Sequence, residues 1–258
     1  MNPNPAAFAG HSSYRNFRHN GWLGVMTAML MFTTAVTTAE EPPATKTVPP
    51  GINDNFVDPD LDVSEWIARF EIESREVYAG RAEVLNVCAL QPGMRVADVG
   101  AGTGFYSRLF ANAVGSEGWV YAVDISPKFL EHISQQVAAE QIDNLTTVLG
   151  GTQSIRLPPD SVDVVFICDT YHHFEYPQAS LASIHRALKP GGSLVMIDFE
   201  RIPGTSREFI LGHVRAGKAE FRNEVVAAGF QYVDEIPVDA FKENYLLRFR
   251  KPSTPPRD

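Results

Sequence analysis

Asp98-Val99-Gly100-Ala101-Gly102-Thr103-Gly104 is the stretch of this chain with the strongest chemical character. It follows directly on the apolar run MRVADV. Three alternate glycines let a backbone turn sharply and let a ligand lie against it without meeting a Cβ. Asp124 stands 20 residues past Gly104, at the end of a second apolar run, WVYAVDI. A carboxylate there can accept two hydrogen bonds from a ribose diol. The spacing separates two ligand classes. A dinucleotide fingerprint is G-x-G-x-x-G, with its third glycine near a pyrophosphate. Here the pattern is G-x-G-x-G, then Phe105 and Tyr106, so that third position holds no glycine. Asp98 would repel a pyrophosphate and suits a ligand carrying an ammonium group. A second stretch, Asp169-Thr170-Tyr171-His172-His173, joins a carboxylate to two imidazoles. Histidine titrates near neutrality, so either ring is a candidate general base.

The elements that must position these groups alternate along the chain. MRVADVG, WVYAVDI, LTTVLG, VDVVFICD and SLVMIDFE read as strands. FYSRLFANAV, PKFLEHISQQVAAE and PQASLASIHRALK read as helices, the last closed by Pro190-Gly191-Gly192. Near-continuous apolar strands between amphipathic helices imply a mostly parallel sheet covered on both faces. After Glu200 the order changes: AEFRNEVVAAG is a helix, and QYVDEIPV and NYLLRFRK are strands. Such a terminal pair suggests an antiparallel edge hairpin. Before the first strand, Ser64 can cap one helix carrying Trp66, Ile67, Phe70, Val77, Val84, Leu85 and Val87, ended by Gln91-Pro92-Gly93. In open α/β sheets ligands bind beyond the carboxyl ends of the strands, where the glycine loop falls.

VADVGAGTGFYSRL, VYAVDIS, SVDVVFICDTYHHF and ALKPGGSLVMIDFER together resemble successive motifs of class I S-adenosylmethionine-dependent methyltransferases, over about residues 65–251. The resemblance implies an α/β, three-layer Rossmann-like fold. Its sheet would have seven mostly parallel strands, a C-terminal antiparallel hairpin and an N-terminal covering helix. It implies S-adenosylmethionine as cofactor. Gly100, Ala101, Gly102 and Gly104 would line its methionine and ribose part, with Asp98 near the amino group. Asp124 would hold the ribose hydroxyls, Ile125 would pack on the adenine, and Asp169 would sit near the methyl donor. The loop before the fourth strand, where the family often carries an acid, reads Gly150-Gly151-Thr152-Gln153. Thr152 or Gln153 is the expected substitute.

Methyl transfer asks chiefly for orientation and, for some acceptors, a base. Asp169, His172 and His173 are the candidates for that chemistry. Adjacent side chains on an extended segment point oppositely, so the two histidines are not expected to share a metal. No zinc-ligand spacing occurs, and no metal is expected. Glu200 and Arg201 follow the fifth strand and are candidates for shaping an acceptor pocket. His213, Arg215 and Lys218 fall in an insert that reads as a solvated charged loop. Arg69, Glu73 and Arg75 read as surface ion pairs at helical spacing.

The formal charge of −9 offers no reason to expect a nucleic-acid backbone as partner. No Asn-Pro-Pro-Tyr or Asp-Pro-Pro-Tyr motif follows the fourth strand, which argues against base-amine methylation. The expected acceptor is therefore a small molecule, with a protein as the alternative. A non-catalytic S-adenosylmethionine-binding module is the competing reading. Arg15 and Arg18 precede the uncharged stretch 21–39, whose apolar centre, WLGVMTAMLMF, is short for a membrane span. That order is the order of a secretory signal, with small residues at the cleavage positions before Glu40. Residues 1–39 are thus expected to be a signal peptide or an anchor, placing the rest outside the cytosol or on a membrane; a misassigned start would leave it cytoplasmic. Residues 40–60 read as a Pro-rich extended linker, 61–251 as the folded domain and 252–258 as a tail.

Overall fold

The computed structural model describes residues 48–253. The expected signal peptide or anchor and the end of the tail lie outside those residues. Seven strands form one sheet: β1 (Arg95–Val99), β2 (Trp119–Asp124), β3 (Leu145–Leu149), β4 (Val162–Cys168), β5 (Leu188–Phe199), β6 (Gln231–Glu235) and β7 (Asn244–Arg250). Their order is β3-β2-β1-β4-β5-β7-β6. The first five pair in parallel, while β7 runs antiparallel to both β5 and β6. The expected seven-stranded Rossmann-like sheet with its C-terminal hairpin is the architecture observed.

Apolar residues at successive strand positions bury both faces of this sheet. Val96, Val120, Ala122, Val164, Phe166, Val195 and Ile197 face one layer, formed by α4 (Arg81–Cys88), α5 (Phe105–Val114) and α6 (Pro127–Glu140). Ala97, Val123, Val165, Ile167, Leu194 and Met196 face the other, formed by α7 (Pro177–Ala187) and α9 (Lys218–Ala227). Within the second layer a partly buried network fixes α9. Arg215 donates to both oxygens of Glu224 at 2.7 and 2.6 Å, and Tyr171 Oη donates to Glu224 Oε2 at 2.6 Å.

Three sequence expectations are corrected. The single helix expected from Ser64 to about Cys88 is three helices: α2 (Val63–Phe70), α3 (Glu76–Ala79) and α4. The cap of α2 is Asp62, whose Oδ1 accepts from the Ser64 amide. Tertiary bonds decide the breaks. Arg75 turns inward to Asp169 at 2.8 Å, and Glu76 Oε2 accepts from the backbone amides of Lys242, Glu243 and Asn244. Leu188 and Lys189, read as the end of α7, belong to β5 instead. Leu188 pairs with Val162 across an irregularity, and Gly191 N donates to Lys251 O at 2.9 Å. Finally, residues 48–60 are not featureless. They include α1 (Asp54–Val57), and Asn53 is buried. Among the described residues, no helix is long and apolar enough to cross a membrane.

Candidate active site

At the carboxyl ends of β1 and β4, where the strand order reverses, a cavity of about 740 Å³ opens. Such switch points are where open α/β sheets bind ligands, and small-molecule pockets measure roughly 300–1,000 Å³. Gly100, Ala101, Gly102 and Thr103 form one wall. Gly100 and Gly102 have φ of +77° and +54°, in the left-handed region that glycine enters without strain. A Cβ on Gly100 would fall 2.2 Å from Thr170 Cγ2. The loop therefore lies so close to the β4 loop that only hydrogen fits.

Two carboxylates face this wall. Asp124 Oδ2 accepts from Gly102 N and Oδ1 from Ser126 N, each at 2.8 Å. A carboxylate has about four lone-pair sites, so each oxygen keeps one for a ligand hydroxyl. Burial pushes the Asp124 carboxyl up, against the backbone hydrogen bonds of Ser126 and Gly102. Asp98 is 3% exposed and accepts from Ser107 Oγ at 2.5 Å. Burial, with the nearby Asp124 charge adding to it, raises Asp98 from the ordinary value near 3.8 to about 7. That corresponds to roughly 4 kcal/mol favouring the neutral form. The sign follows directly. The folded chain holds a proton that the unfolded chain has lost, so this carboxyl lowers stability progressively as pH rises from about 4 to about 7. A ligand ammonium beside Asp98 would reverse the preference and expel the proton. Binding of S-adenosylhomocysteine at pH 7 is therefore expected to release about half a proton. Titration calorimetry in two buffers of different ionisation enthalpy measures it; Asp98→Asn should abolish the release, and a buffer-independent wild-type enthalpy would contradict it.

The same cavity is also lined by aromatic rings and imidazoles. Phe56, Trp66, Phe70 and Phe129 form a contiguous set, with ring centroids 4.8–6.3 Å apart. Thr170 leads into a 3-10 turn, Tyr171–His173, where His172 is 1% exposed. His172 Nδ1 meets Asp198 Oδ1 at 2.8 Å, and Asp198 Oδ2 accepts from the His172 amide at 3.1 Å. From α8 (Glu208–His213), His213 Nε2 meets His173 Nε2 at 3.1 Å. Burial, with His172 and His213 adding, lowers His173 to about 2, so its ring is neutral and a weak base.

The structure brings most of the sequence-derived residues to this cavity. Asp98, Gly100, Ala101, Gly102, Asp124, Ile125, Thr152, Asp169, His172 and His173 all line it. Gly104 does not: it sits behind the loop, where a Cβ would fall 2.7 Å from Ile133 Cγ1. Its role is close packing of the loop on α6. Gln153 is exposed and lies outside the wall. Asp169 is clamped, accepting from Arg75 at 2.8 Å and from Asn244 Nδ2 at 2.7 Å. Both oxygens are thus engaged in tying β4 to the N-terminal helices and to β7. The two histidine side chains do not diverge, since a 3-10 turn replaces the extended segment and their centroids lie 4.4 Å apart. Glu200 pairs with Lys218 and Arg201 donates to Leu211 O, and neither lines the cavity.

Sequence reasoning missed four contributors. Arg75, read as a surface residue, lines the cavity and stacks over Phe70 at 4.5 Å. Asn53 and Phe56 come from the segment read as linker, and Asn53 Nδ2 donates to His173 O at 3.2 Å. His213 comes from the insert read as solvated. The apolar residues Val48, Ile52, Phe56 and Val57 in that Pro-rich stretch are the sequence signal for a covering role.

Comparison with known proteins bears on the fold and the domain type. Residues 97–196 match the profile of the family described as "Methyltransferase domain". The chain is 29% identical over 120 residues to the ubiquinone/menaquinone biosynthesis C-methyltransferase UbiE of Shewanella frigidimarina, covering 46% of this chain and 48% of that one. It is 32% identical over 118 residues to the demethylmenaquinone methyltransferase of Geobacillus kaustophilus, covering 46% and 50%. The chain thus spans about half the length of these relatives. A solved S-adenosylmethionine-dependent methyltransferase from Aquifex aeolicus superposes with a TM-score of 0.64 at 26% identity, covering 74% of this chain and 98% of that one. Fold, glycine loop and profile match agree: the chain carries a methyltransferase domain over residues 97–196 and is similar in fold and sequence to class I S-adenosylmethionine-dependent methyltransferases.

Proposed function

We propose that this protein methylates a small aromatic acceptor. The observation that carries the proposal is that the glycine wall and the aromatic, histidine-rich wall line one and the same cavity. The cradle fits the cofactor. Gly100 and Gly102 line the cavity with left-handed backbone, Gly100 packing without a Cβ against Thr170, while Asp124 keeps acceptor capacity and Asp98 is a buried carboxyl suited to a cation. Gly100, Gly102, Asp98 and Asp124 would hold S-adenosylmethionine, with Ile125 and Thr152 along the edge. When bound, S-adenosylmethionine supplies an electrophilic methyl group. The chain supplies orientation and a dry enclosure. Phe56, Trp66 and Phe70, from α1 and α2, line the cavity and offer aromatic surface to a flat acceptor. His172, His173 and His213 provide polar contacts on the same wall. Similarity to methyltransferases named for quinone biosynthesis supports an acceptor of that chemical kind.

Incubating the full chain with methyl-labelled S-adenosylmethionine and a panel of hydroquinones and phenols tests the proposal. Label should enter at least one aromatic acceptor, with S-adenosylhomocysteine released in equal amount. Saturable S-adenosylhomocysteine binding without turnover on any aromatic compound would favour the non-catalytic binding module instead.

A further inference from the structure

We propose that His172, His173 and His213 form a binding site for one divalent transition-metal ion of the zinc class, with Asp198 as the carboxylate behind His172. One nitrogen from each ring lies within 4.8 Å of the others. Tetrahedral zinc with imidazole bonds of about 2.0–2.1 Å needs nitrogens roughly 3.3 Å apart. The His173–His213 pair, at 3.1 Å, has nearly that spacing. Rotation of the rings has to bring His172 closer by about 1.5 Å to reach the same spacing.

Several features favour a cation over a plain histidine cluster. His173 and His213 meet nitrogen to nitrogen, an arrangement that needs either a shared proton or a cation between the lone pairs. His173 Nδ1 is buried and has no hydrogen-bond partner, so no competing bond fixes that ring. His172 is fixed in the manner of a metal ligand. Its Nδ1 is held by the fully buried Asp198 carboxylate, which leaves Nε2 as its coordinating atom and orients the ring. That carboxylate also supplies a negative charge behind a dication. Packing holds the other two rings: Phe56 meets His173 edge-on at 5.2 Å, and Phe209 stacks on His213 at 4.9 Å. Neutral imidazoles select zinc, copper, nickel or iron over magnesium or calcium. All three histidines line the cavity, so a fourth position would open into it, as in catalytic rather than structural zinc sites. That position could take an oxygen of an acceptor, an extension that rests on the methyl-transfer proposal; metal binding itself does not.

The test uses the untagged full chain, stripped with a chelator and titrated with Co²⁺ as a visible probe. One saturable equivalent is expected, with visible absorption of tetrahedral intensity that Zn²⁺ displaces. His213→Ala should abolish this signal, and Asp198→Asn should weaken binding about 10–100-fold. His185→Ala, away from the cluster, should leave the titration unchanged. If His213→Ala does not melt like the metal-free wild type, His213→Gln replaces it. Absence of a saturable signal, or an equal signal in the His213 variant, would overturn the site. S-adenosylhomocysteine titrated into the same sample keeps the two proposals apart. Its binding without cobalt binding sinks only the metal site, and the reverse sinks only the methyltransferase function.

Discussion

Asp124→Ala is expected to weaken S-adenosylhomocysteine binding by at least about 100-fold, since two charge-assisted hydrogen bonds are worth roughly 3–6 kcal/mol together. Asp124 sits at the end of β2 and is 7% exposed. It does two jobs at once. Its Oδ2 holds Gly102 N, and the lone pairs left over face the cavity. Removing the carboxylate deletes both the ligand contact and the bond that sets the loop. Asp124→Asn is a milder change: its amide oxygen can still accept from Gly102 N, while its NH2 forfeits the bond from Ser126 N and one hydroxyl acceptor. Its affinity should fall between wild type and the alanine variant. Calorimetric titration reads the affinity, and thermal melting checks that the fold survives. Wild-type affinity in Asp124→Ala would show that the ribose lies elsewhere.

Gly100→Ala should destabilise the chain by roughly 2–5 kcal/mol and abolish cofactor binding. The added Cβ would lie 2.2–2.7 Å from three Thr170 side-chain atoms. Thr170 cannot swing aside cheaply, because its Oγ1 donates to Cys168 O at 2.8 Å. The φ of +77° adds strain of its own, about 1–2 kcal/mol for an L residue. Gly93 provides the control. It has φ +86°, and a Cβ there would meet no atom within 4 Å, so Gly93→Ala carries the backbone strain alone. The difference between the two losses in denaturant midpoint isolates the clash. Combining Gly100→Ala with Thr170→Gly should recover the clash and not the strain. Equal stabilities for Gly93→Ala and Gly100→Ala would show that the loop relaxes freely from the β4 loop.

The sequence by itself determined the sheet, the glycine loop and the two carboxylates that face it. Each is encoded locally. The strands are short apolar runs between helical ones, Asp98 leads its own loop, and Asp124 ends its own strand. Local periodicity carries such features because the chemistry and the element that places it lie within a few residues. The tertiary structure alone decided the rest. Arg75 reaches Asp169 across 94 residues, Asn53 reaches His173 across 120, and His213 reaches His173 across 40. No spacing rule links residues so far apart. The same cause broke the helix expected from Ser64 onward, because Arg75 and Glu76 are committed to partners just after β4 and beside β7 rather than to helical neighbours. It moved Leu188 and Lys189 from helix to strand, because backbone bonds to neighbouring strands replaced those of another helical turn. It also turned His172 and His173 toward one another, because the chain after β4 coils into a 3-10 turn under the pull of Asp198 on β5.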